Sequence, residues 1–173
     1  VRPGDLYSMW MARSLALRLS RAALRCLPIL LVAALVPAPY GLRLTVSPGT
    51  LALFLVSMAL MLVLVCAYTM VLYGLGFYLE STNGVRWLSL AAADLLGGAI
   101  VPLPFLPEPV RTIAALSPFG SMQNVPLRIY GGDIAGTEIP AAMGLQALWC
   151  LLLILAGWIL MNRGLRRCVV AGG

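Results

Sequence analysis

Residues 50–79 form an uninterrupted stretch without a single Asp, Glu, Lys or Arg. As a helix the stretch would extend about 45 Å. That exceeds the roughly 30 Å of hydrocarbon in a bilayer, so a helix of this length must tilt or protrude. The rest of the chain agrees with this solvent. In 173 residues, 61% are hydrophobic and 10% are charged, against about 25% charged in a typical water-soluble domain. The reading is an all-α, polytopic integral membrane protein.

The residue types missing from the chain narrow its chemistry. All twelve basic residues are arginine, and there is no histidine, which excludes imidazole base catalysis and His-ligated metal sites. The cysteines Cys26, Cys66, Cys150 and Cys168 stand singly in or beside apolar runs, without C-x-x-C spacing, and read as small hydrophobes. No phosphate-binding G-x-x-x-x-G-K-[ST] loop is present, so any ATP must be hydrolysed by another polypeptide. No catalytic, cofactor or metal residues are expected.

Charged residues serve as rulers for the spans. Four intervals are long or apolar enough: residues 26–42, 50–79, 86–101 and 139–162. Pro37 and Pro39 shorten the first, and the cluster Pro102, Pro104, Pro107 and Pro109 ends the third. Between the third and fourth spans, short helices at the membrane surface are expected within residues 109–130, the first stopped by Ser117 and Pro118 and the second by Gly131 and Gly132. Residues 1–25 form a basic amphipathic segment and 163–173 a basic tail.

Arginine counts orient the spans. Arg2, Arg13, Arg18, Arg21 and Arg25 precede the first span, and Arg163, Arg166 and Arg167 follow the last, whereas only Arg43 lies between the first two. Both ends of the chain are therefore expected in the cytoplasm. In the opening segment Ser14, Arg18, Arg21 and Arg25 fall within about a 60° arc, a face suited to anionic lipid headgroups or to a cytoplasmic partner.

Asp94 is the lone ionisable residue inside a span. An acid there costs on the order of 2.5–3.5 kcal/mol on insertion, so it should face protein or a wet cavity. Gly97 and Gly98 permit close packing or a break before the proline turn, and Gly74 and Gly76 permit close packing of the second span. Gly131, Gly132 and Asp133 read as a plain turn.

The run DLLGGAIVPLPFLPEPVRTIAALSPF from Asp94, followed by PLRIYGG and the ending LRRCVVAGG, resembles the C-terminal half of an ABC-2 type transporter permease, most of all a bacterial branch with six spans and a separate ATPase. Gly97, Gly98 and Pro102 match its small-residue and proline pattern, and Pro107, Leu116, Pro118 and Phe119 match the segment after it. The resemblance implies a bacterial inner-membrane exporter subunit that supplies the translocation path. Asp94, Gly97, Gly98 and Pro102 are its candidate path and packing residues. It also implies that the segment around residues 5–25 carries a coupling helix toward the ATPase, with Arg18, Arg21 and Arg25 as candidate contacts. Expected partners are an ABC ATPase subunit, a second permease half-unit and membrane lipids, with no nucleic acid. The first residue is Val1 and two N-terminal spans of the family are not represented, so the chain reads as a fragment, the alternative being a complete protein with an unusual start codon. Rival readings are a secondary transporter, for which paired intramembrane charges and an internal repeat are missing, an intramembrane enzyme, for which an acid or histidine cluster is missing, and a membrane scaffold without transport.

Overall fold

The computed structural model describes residues 3–36, 47–79, 81, 83–101 and 103–167. Their architecture is all-helical: α1 (Pro3–Leu35), α2 (Pro48–Leu75), α3 (Asn83–Leu96), a short 3-10 turn (Leu103–Phe105), α4 (Glu108–Leu116), α5 (Pro118–Gly131) and α6 (Glu138–Arg167). The connection containing Pro37, Pro39 and Arg43, the proline at Pro102, and the last six residues with Cys168 lie outside the described residues.

Two of the described helices, α2 and α6, are long and apolar enough to cross a bilayer. Only 22% and 17% of their most apolar stretches are buried by the rest of the chain, so neither is the core helix of a water-soluble fold. Local chemistry sets their limits. The Ser47 hydroxyl accepts from the Thr50 amide at 3.2 Å, and Pro48 occupies the first turn, a start that leaves fewer amides unpaired. The expected division at Arg25 is not a helix boundary: α1 continues from Pro3 to Leu35 through Pro28. Likewise the expected third span is a 14-residue helix of about 21 Å, too short to cross alone.

Helices α2 and α6 run parallel, because their contacts advance together along both chains. Ser57 meets Gln146, Leu60 meets Cys150, Met70 meets Gly157 and Phe77 meets Gly164. Close approach depends on missing side chains: a Cβ on Gly74 would lie 2.8 Å from Leu160 Cβ, and one on Gly164 would lie 2.7 Å from Phe77 Cβ. Parallel neighbours oblige the chain between them to travel back.

That return is made in pieces. The C-terminus of α3 turns at Gly98, whose φ of 85° is open to glycine, while buried Gly97 leaves space for the Phe119 carbonyl, 3.4 Å from where its Cβ would stand. There α5 begins. Its rings meet α2 in reverse order, Phe119 on Tyr68 and Tyr130 on Phe54, each at 5.3 Å between centroids. Thus α5 stands antiparallel to α2 and packs into α2 and α6, instead of lying across their ends as a surface helix would. Ser117 joins α4 to it, donating to the Ala114 carbonyl at 2.7 Å and accepting from the Gly120 amide at 3.2 Å.

Candidate functional site

The N-terminal half of α1 is fastened to both long helices. Tyr7 is buried between Met70 of α2 and Met161 of α6, and its hydroxyl donates to the Ile154 carbonyl at 3.3 Å. Burial raises the phenol's pKa above its ordinary 10.0. One helical turn on, Trp10 meets Tyr73 edge to face at 5.6 Å. Ser14 then reaches Cys66 Sγ at 3.6 Å, and Arg18 Nη2 donates to Thr69 Oγ1 at 2.8 Å. Residues 7, 10, 14 and 18 follow the helical i, i+3/i+4 spacing, so a single face of α1 makes the whole attachment.

Beyond that face the helices leave a cavity of about 680 Å³ walled by α1, α2, α3 and the start of α5. Arg18, Arg21 and Arg86 reach it together with Asp94. Of the candidate contacts, Arg18 is half-buried and committed to Thr69, Arg21 lines the cavity, and Arg25 is exposed. Asp94 is exposed on α3 and faces the cavity. Gly97 and Gly98 are at the α3 terminus, serving packing and chain reversal respectively, and Pro102 lies outside the described residues.

A second polar centre is closed to solvent. Gln146 of α6 is completely buried. Its Oε1 accepts from Ser57 Oγ at 3.0 Å, and its Nε2 donates to the carbonyls of Ser57 at 3.2 Å and Ser121 at 2.9 Å. One side chain thereby ties α2, α5 and α6. A turn further along α6, Trp149 Nε1 donates to the Leu116 carbonyl at 2.9 Å, holding the end of α4. Nothing in the reading of the sequence singled out Gln146, yet it is the one amide side chain in residues 139–161. A polar group isolated in an apolar helix requires an internal partner, and that was the available signal. Among the described residues no three His, Cys, Asp or Glu side chains gather into a metal site.

Two apolar helices packed in parallel with largely uncovered surfaces, a third helix packed against both and a basic helix fastened across them define an integral membrane protein. The family model described as ABC-2 family transporter protein matches residues 8–172, and the chain belongs to that family. No curated protein and no solved structure matches it.

Proposed function

We propose that this chain is the permease part of an ATP-driven exporter, coupled through the N-terminal half of α1 to a separate ATPase. The observation that carries the coupling is the attachment of α1 to both long helices through Tyr7, Trp10, Ser14 and Arg18. A displacement of that segment is passed directly to α2 and α6. Arg18 acts as the internal clamp, and Arg25, with the exposed flank of Arg21, is the part of the basic stripe left for the ATPase.

In this reading four crossings are made. The apolar second half of α1 is the first, α2 the second and α6 the fourth. The third is shared by α3 and α5, two helices of 14 residues each whose summed length of about 42 Å equals that of the 28-residue α2. The parallel course of α2 and α6 supports an odd number of returns between them. Arg163 and Arg166 of α6 and the arginines of α1 lie toward the same end of the bundle as the end of α2, supporting a cytoplasmic location for that end. Asp94, Gly97 and Gly98 belong to the broken third crossing, along the translocation path. A second half-unit, in the bacterial inner membrane, completes the exporter.

The test is co-purification of the full-length permease with its ATPase, followed by ATP turnover in the presence of candidate amphiphilic compounds. Joint purification and turnover stimulated by at least one exported compound are expected. A permease that purifies alone and leaves ATP turnover unchanged contradicts the assignment.

A further inference from the structure

Four arginines gather around two adjoining hollows. Beside the cavity described above lies a second one of about 680 Å³, and the two share Arg18, Arg21 and Arg86 on their walls, with Arg13 added on the α1 side. Asp94 is the sole carboxylate among these lining residues. Among the described residues the lining therefore holds four arginines and one carboxylate. Arg18 spends one donor on Thr69, and among the described residues the ion pair formed is elsewhere, between Arg111 and Glu108 of α4.

Like charges brought together from two helices repel each other, and a bound anion relieves that repulsion. A guanidinium offers paired donors that fit phosphate oxygens. The same lining also holds the Trp10 and Tyr73 rings with Tyr68, Leu72, Leu90 and Phe119, aromatic and aliphatic surface suited to hydrocarbon. We propose that this hollow is a binding site for a phosphate-bearing ligand with an apolar portion, its phosphate held between Arg21 of α1 and Arg86 of α3. Occupancy ties α3 to α1.

The assay uses the full-length permease in a neutral detergent and contains no ATPase, so its result is independent of the coupling proposed above. Short-chain phosphatidate is titrated in parallel with the corresponding diacylglycerol, which lacks the phosphate. Phosphatidate is expected to bind and diacylglycerol to bind at least tenfold more weakly. Arg21→Gln with Arg86→Gln should weaken phosphatidate binding at least tenfold, Arg86→Lys should retain part of it, and Arg111→Gln should change it less than twofold. Should the double variant fail to fold, Arg86→Gln alone is expected to lose at least threefold. Inorganic phosphate tests the apolar portion: competition only at far higher concentration is expected, and competition at a concentration comparable with phosphatidate contradicts an amphiphilic ligand. Equal binding of phosphatidate and diacylglycerol, or wild-type affinity in the arginine variants, overturns the proposal.

Discussion

Gln146 donates from α6 to the Ser121 carbonyl of α5 at 2.9 Å, and both residues are wholly buried. Ser57 of α2 completes the contact. A hydrogen-bond node in an apolar bundle fixes the register of three helices, because sliding any one leaves polar atoms without partners.

Gln146→Leu is accordingly expected to cost about 1–2 kcal/mol of stability in mixed micelles, near the range measured for hydrogen bonds between membrane helices. Ser57→Ala should cost less. The double variant should fall short of the sum, since both changes remove the same bond. Unfolding curves for the four proteins give the coupling, and strict additivity would remove the node from the account.

Glycines separate packing from helix propensity. Gly74→Ala places a Cβ 2.8 Å from Leu160 Cβ and should destabilise the α2 and α6 pair by about 1–3 kcal/mol. At Gly144 of α6 nothing lies within 4 Å of the added atom. Gly144→Ala should be neutral or stabilising by up to about 1 kcal/mol. Equal effects of the two variants in a thermal unfolding assay would contradict the close parallel packing.

Topology is open to chemical labelling. In a background lacking Cys26, Cys66, Cys150 and Cys168, a cysteine introduced at Asp133 should react with an impermeant maleimide in intact cells. One introduced at Arg166 should react only after permeabilisation. The reverse pattern inverts the orientation drawn from the arginines.

Much of the helix punctuation is legible in the residues. The uncharged run beginning at Thr50 contains most of α2, and the stop at Ser117 and Pro118 separates α4 from α5 because one serine caps both helices. The Gly132 terminus, with φ of 79°, is likewise marked by its residue type. Partnership is not legible in this way. Surface helices and packed helices share the composition of α5, and only the three-dimensional path puts Ser121 and Val125 against α2 and α6. The basic arc of α1 is readable as a face, but the same arc can meet lipid, an ATPase or another helix. Thr69 and Cys66, far along the chain, decide which of its residues turn inward.

Asp94 gives an electrostatic test of the cavity. Asp94→Asn removes the carboxylate from a lining that otherwise carries arginines, so binding of a phosphate-bearing amphiphile should tighten by roughly two- to fivefold, about 0.5–1 kcal/mol. Asp94→Leu should tighten it similarly. Weakened binding in both variants would show that the carboxylate organises the arginines instead of opposing the ligand.

The central claim is that α1 passes motion from an ATPase to α2 and α6, and it is tested most directly by comparing Arg18→Glu with Arg25→Glu in the full-length permease. Association with the ATPase and permease-stimulated ATP turnover are measured on the same preparations. Arg18 is bound to Thr69 whereas Arg25 is exposed. The account predicts that Arg25→Glu weakens association with the ATPase, while Arg18→Glu keeps the association and loses the stimulated turnover. Association and turnover at wild-type levels in both variants would contradict it.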